Sequence, residues 1–208
     1  RPDASRLAML GSGVQAGTHL EAMVLVREIK HITVWSRRQD HAVEFARRQS
    51  EQHNIEIQVA GTAREAVEDA DIICTTTASP DPILLGEWLH PGMHINAIGS
   101  SVPSMRELDT EAVVRSRMIV DRQESVRAEG GEFLCALEEG AIGEDHIAAE
   151  LGEVLLGEIA GRETDEQITL FKSLGLAVED LAAAELVYNR ALEQQLGTSV
   201  ELGGKRPK

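Results

Sequence analysis

The 208-residue chain is poor in cysteine, in aromatic side chains and in positive charge. Its two cysteines, Cys74 and Cys135, lie far apart with no CxxC spacing. That excludes a disulfide framework and a thiolate metal knuckle, and it fits reduced thiols in a cytoplasmic protein. Phe, Trp and Tyr make up 3% of residues, which leaves few platforms on which bases could stack. Lys and Arg number 20 against 35 Asp and Glu, a formal charge of −15 that repels a phosphate backbone. Nucleic acid is therefore not an expected partner. No apolar run approaches the roughly 18–20 residues that cross a bilayer, and no charged-then-apolar leader opens the chain. No membrane partner is expected. An initiator methionine is also lacking: the chain opens Arg1-Pro2-Asp3 and reads as a piece of something longer.

What is present is enough for one good core, with 42% hydrophobic and 26% charged residues. Strand and helix patterns alternate for about 170 residues. Short apolar or β-branched runs predict strands over 6–10, 31–35, 55–60, 71–77, 93–98, 117–120 and 168–171. Helical spacing of apolar residues predicts helices over 14–28, from a cap at Asp40, and over 107–115. Thr62 and Glu65 have capping-box spacing. Residues 122–145, with glycines at 130, 131, 140 and 143, read as a loop with short helical pieces. Residues 146–159 read as an amphipathic helix, and 175–196 as one long helix. Repeated β-α-β units with short connections imply an α/β fold of Rossmann type, doubly wound, with a mainly parallel sheet and helices on both faces. The expected division is a dinucleotide-binding domain over 1–172, followed by a C-terminal helix and tail over 173–208.

The chemistry concentrates where predicted strands end. Gly11-Ser12-Gly13-Val14-Gln15-Ala16 follows the first strand and opens a helix, the context that gives a GxGxxA pattern its meaning. The first glycine allows the tight turn and the second lets a pyrophosphate approach the backbone. The small third residue lets helix and sheet pack closely. The helix N-terminus adds free N–H groups and a favourable dipole. At the end of the second strand stands Trp35-Ser36-Arg37-Arg38, with two guanidiniums where a carboxylate would select a ribose 2′-hydroxyl. Guanidinium forks match a 2′-phosphate, so NADP(H) is the preferred cofactor, with NAD(H) possible. Thr75–Thr77 and the loop Gly99-Ser100-Ser101-Val102-Pro103 fall at the same sheet edge and could border a nicotinamide. His90 and His94 are separated by Pro91-Gly92 and share no helical face, so no metal site is expected. No GxSxG nucleophile elbow occurs.

The stretches GSGVQA, ADIICTTTA, GEWLHPGMHINAIGSSVPSMRELD, VDRQES, AELGEV and ITLFKSLGLAVEDLAAA, in this order, resemble the ornithine cyclodeaminase/mu-crystallin family from about Ser5 to Leu196. The resemblance implies two-domain, dimeric proteins that bind NAD or NADP. They cyclise and deaminate ornithine, reduce cyclic ketimines or dehydrogenate alanine. It places Val14 and Gln15 at the pyrophosphate, and Ser36 and Arg37, with Arg38 beside them, at the adenosine ribose. Thr77, Gly99 and Ser100 would line the nicotinamide half, with Ser101 next to them, and Ser173 and Leu174 would close over it. It also implies that the substrate-gripping cations and most of the dimer interface lie in a domain preceding the glycine motif. The helix from 175 would return to that domain. The cyclodeaminases carry an aspartate, their proposed proton donor, two residues after the strand-ending glycine. Here that position is Ser101, which cannot exchange a proton near neutral pH as a carboxylate does. The expected activity is therefore hydride transfer to the C=N carbon of a small cyclic imino acid. The alternatives are a cyclodeaminating lyase and a non-catalytic NADPH-binding protein. The catalytic residue is left unassigned.

Overall fold

The computed structural model describes residues 1–200. An eight-stranded sheet organises the first 174 residues. Its strands are β1 (Arg6–Leu10), β2 (His31–Trp35), β3 (Ile57–Val59), β4 (Ile72–Thr75), β5 (His94–Ala97), β6 (Ser116–Val120), β7 (Ile147–Glu150) and β8 (Ile168–Lys172). They lie in the order β3-β2-β1-β4-β5-β8-β6-β7, and each pairing is parallel. The chain winds outward from β1 through β2 to β3. It then returns to β4 on the other side of β1. This reversal opens a crevice at the carboxyl ends of β1 and β4, where doubly wound sheets bind ligands.

The central strands of a parallel sheet are buried on both faces, and the alternation along β1 shows it. In β1, Ala8 and Leu10 enter one apolar cluster with Ile73, Ile95, Met118 and Phe133. Leu7 and Met9 enter the other, with Leu20, Ile32, Val34 and Phe45. The second cluster is closed by α1 (Val14–Val26) and α2 (Gln39–His53). The first is closed by α3 (Ala63–Val67), α4 (Thr110–Val114), α5 (Gln123–Glu129) and α6 (Gly131–Glu138).

Three local expectations are corrected. Residues 146–159 are not one helix: β7 is followed by the short helix α7 (Leu151–Leu155). Ile147 and Ala149 alternate into the core beside β6, and that pairing overrides a spacing that also suited a helix. Residues 122–145 are mostly the two helices α5 and α6, because Val126, Phe133 and Ala136 find a core to enter. Asp40 does not cap α2. That helix starts two residues earlier than such a cap would place it, with Arg38 at its N-cap, and Asp40 pairs with the Arg38 guanidinium instead. The Thr62–Glu65 capping box forms as expected: the Thr62 hydroxyl accepts the Glu65 N–H at 3.1 Å, and the Glu65 carboxylate accepts the Thr62 N–H at 3.3 Å.

The chain separates into two compact units, Arg1–Leu174 and the residues from Gly175 onward. Within the second unit, α8 (Ala177–Glu193) buries none of its residues. Val178, Leu181, Val187, Tyr188 and Leu192 are all exposed on it.

Candidate functional site

The turn after β1 is built for close approach. Gly11 has φ +124°, a region that L side chains rarely adopt. A Cβ there would stand 2.6 Å from the Thr76 Oγ1 and 2.9 Å from the Thr76 carbonyl. Glycine is thus required by both backbone and space. A Cβ at Gly13 would meet nothing within 4 Å, so the second glycine faces open room. Ala16 is fully buried at the α1–sheet contact, as the third small residue should be. No side chain caps the start of α1 and no acid lies in its first turn. Val14 and Gln15 are exposed there, beside N–H groups that have no intrahelical acceptor. The combination suits an anion.

A cleft of about 410 Å³ extends from this turn across the ends of β2 and β4. It is lined by Gly11–Gly13, Trp35–Arg38, His41, Thr76–Ser79 and Ile83. The expected residues Gly11, Gly13, Ser36, Arg37, Arg38 and Thr77 all meet in it. The Ser12 hydroxyl donates to the Ser36 hydroxyl at 3.0 Å, tying the glycine turn to the β2 end. Arg38 is engaged by Asp40 at 2.7 Å, and that hydrogen bond holds the Asp40 carboxyl below its usual range. Arg37 is exposed and makes no ion pair among the described residues.

Gly99, Ser100, Ser101, Ser173 and Leu174 do not line that cleft, but they lie at the neighbouring strand ends. Gly99 is pressed so closely onto the Thr77 backbone that no Cβ would fit. Ser100 is buried: its hydroxyl donates to the Met105 carbonyl at 2.5 Å, and its own carbonyl accepts the Lys172 ammonium at 2.5 Å. Ser101 is exposed. The Ser173 hydroxyl and the Leu174 N–H both donate to Asp121 Oδ2, at 3.3 and 2.6 Å, which fixes the β8 exit to the β6 exit.

Sequence reasoning missed three fully buried charged residues beneath these loops: Glu107, Glu132 and Lys172. Glu107 Oε1 accepts the Thr77 N–H at 2.6 Å and the Thr77 hydroxyl at 2.7 Å. Its Oε2 accepts the Gly99 N–H at 2.8 Å. Burial pushes the Glu107 carboxyl above its ordinary range, and these hydrogen bonds only partly offset that. Lys172 and Glu132 form an ion pair at 3.0 Å. A lysine in the otherwise apolar run ITLFK was the available signal, because a charge on a buried strand demands a partner. Among the described residues no group of His, Cys, Asp and Glu could hold a metal ion, and no helix is long and apolar enough to cross a membrane.

The model of the ornithine cyclodeaminase/mu-crystallin family matches residues 1–195. Among curated relatives, a Bacillus cereus Delta(1)-pyrroline-2-carboxylate reductase is 40% identical over 202 residues. The match takes in 97% of this chain and 62% of that protein. A Rattus norvegicus ketimine reductase mu-crystallin is 43% identical over 188 residues, 90% of this chain and 56% of that one. Among solved structures, a Thermococcus litoralis Delta(1)-pyrroline-2-carboxylate reductase in complex with NADH and L-proline superposes with a TM-score of 0.94. It is 42% identical and covers 96% of this chain and 62% of its own. The chain thus spans about three fifths of the length of these relatives.

Proposed function

The chain belongs to the ornithine cyclodeaminase/mu-crystallin family, and on that premise we propose that it is the cofactor-binding part of an NAD(P)H-dependent imine reductase acting on a small cyclic imino acid. The observation that carries the reading is the Gly11–Gly13 turn: a left-handed glycine under Thr76, an unobstructed second glycine and an uncapped helix start meet at one sheet edge. That arrangement fits a pyrophosphate. Val14 and Gln15 would hold it through the α1 terminus. Thr77, Gly99, Ser100 and Ser101 would border the nicotinamide, with Ser173 and Leu174 over it. When bound, NAD(P)H supplies the hydride that reduces a C=N carbon. The chain's own part is to hold that cofactor in one orientation and to keep the loops around it in register, so that a bound imine sits about 3–3.5 Å from the reacting carbon.

The reductases among the relatives support imine reduction over ornithine deamination. Ser101 points the same way, since no carboxylate replaces the aspartate that a cyclodeaminase would use. The substrate-gripping cations would reside in the part of the relatives that this chain does not span, so the 208-residue chain is expected to bind cofactor without turnover. The exposed apolar side chains of α8 fit the expected return of this helix to the part of the relatives that this chain does not span.

NADP(H) is the cofactor we favour, on the exposed and unpaired Arg37 beside the Ser36 hydroxyl. Arg38, tied to Asp40 on the surface, is free to exchange that partner for a dianion. Side-by-side calorimetric titration with NADPH and NADH tests this. NADPH should bind at least tenfold tighter, and Arg37→Ala should abolish the preference while leaving NADH affinity unchanged. Tighter NADH binding would reduce the arginines to surface charge. Failure to bind either would sink the dinucleotide reading for this chain.

A further inference from the structure

The buried charges beneath the sheet edge form one continuous connection. Glu107 uses both carboxylate oxygens on two different loops, holding the Thr77 N–H and hydroxyl with one and the Gly99 N–H with the other. The Glu107 backbone N–H donates to Glu132 Oε1 at 3.0 Å. Glu132 pairs with Lys172, and the Lys172 ammonium donates to the Ser100 carbonyl at 2.5 Å. The exits from β4 and β5 are thereby joined to the end of β8 through three fully buried side chains: Glu107 from the segment before α4, Glu132 from α6 and Lys172 from β8 itself.

Energetics argue that this arrangement is not simply glue. Taking a carboxylate and an ammonium out of water is costly, and apolar residues of similar volume often do as well or better for stability. What an ion pair and a two-armed carboxylate provide that leucines cannot is direction. They aim particular N–H and C=O groups and tie the two loops to one side chain. Gly99 shows how tight that setting is, since its Cα face rests on the Thr77 backbone with no space for a methyl group.

We propose that Glu107, supported by the Glu132–Lys172 pair, is a positioning residue that sets the Thr77 and Gly99–Ser100 loops for the nicotinamide half of the cofactor. The adenosine half, read by the glycine turn and the β2 end, does not depend on it. This deepens the cofactor reading above and rests on it. Glu107→Gln is the informative change. The amide keeps the size of the side chain but has only one oxygen to accept, so its NH2 group must face one of the backbone N–H groups.

The experiment compares wild type and Glu107→Gln for binding of ADP-ribose, which lacks the nicotinamide, and of NADH and NADPH. The emission of the bound dihydronicotinamide is recorded at saturation. The expected result is ADP-ribose affinity within twofold of wild type. Affinity for the reduced dinucleotides should fall at least tenfold, and the emission should move towards that of free cofactor. A parallel loss of ADP-ribose binding would make Glu107 a general support of the fold and overturn the proposal, as would unchanged dinucleotide binding and emission. So would a wild type that binds NADH and NADPH no tighter than ADP-ribose, with free-cofactor emission. A wild type that binds none of the three fails the cofactor reading itself, and the proposal with it. If Glu107→Gln does not fold, Glu132→Gln/Lys172→Met removes the ion pair without leaving a lone buried charge. That variant should give the same separation between ADP-ribose and dinucleotide.

Discussion

At the scale of single residues, the geometry of the glycine turn was legible and the buried charges were not. Gly11, Gly13 and Ala16 are read from a local pattern because their roles are backbone geometry and size, which sequence spacing encodes directly. Glu107, Glu132 and Lys172 are separated by 25 to 65 positions, so only the fold reveals that they meet. The cysteines divide the same way. Cys74 is buried in β4, and burial pushes its thiol up to about 12, against a weak pull from Asn96. Cys135, on α6, is only partly buried. Since the thiolate is the reacting species, a maleimide or iodoacetamide should label Cys135 and leave Cys74 untouched in the native protein. Peptide mapping by mass spectrometry after brief labelling at pH 8 checks this, and rapid modification of Cys74 would contradict the packing of β4.

At the scale of elements, local chemistry succeeded where a helix or strand carries its own signal. The Thr62–Glu65 box starts α3 as its letters require, since it satisfies N–H groups from within four residues. Thr62→Ala should lower the unfolding free energy by about 1 kcal/mol, with Thr62→Ser recovering most of it, as read from urea midpoints. A change below about 0.3 kcal/mol would mean that α3 is held by Ala63, Ala66 and Val67 in the core alone. The stretch 146–159 shows the opposite case. Its apolar residues satisfied helical spacing, yet β6 offered an open edge and Ile147–Glu150 became β7. Asp40 likewise met a nearer guanidinium than the helix N–H groups it was expected to cap.

At the scale of the whole molecule, stability should depend on pH through His94. It sits on β5 with its ring between the Thr169 hydroxyl and Asn96 Oδ1, at 2.8 and 3.2 Å. Burial lowers it to about 4, with Arg162, the N-terminal amine and Arg27 adding to the effect and Asn96 opposing it. The neutral ring is favoured in the folded state. Its contribution is therefore complete above about 6.5 and is lost as pH falls towards 4, up to ~3 kcal/mol in all. Glu107 has the opposite sign, since its raised value favours the neutral carboxyl and its penalty grows as pH rises. Urea unfolding of wild type and His94→Gln at pH 7, 5.5 and 4.5 separates the two. The variant should lose less stability on acidification, and equal slopes would count against His94.

The sequence by itself determined the doubly wound α/β architecture, the position of the glycine turn after β1 and the placement of two arginines at the β2 end. All three follow from periodicity and from glycine and arginine placement within short windows. Only the tertiary structure decided which strand β8 would lie between, and how Arg37 and Arg38 differ. It alone showed that one buried carboxylate joins the loops after β4 and β5. These depend on contacts between distant segments, where burial removes water and forces each remaining charge to find a partner across the sheet edge.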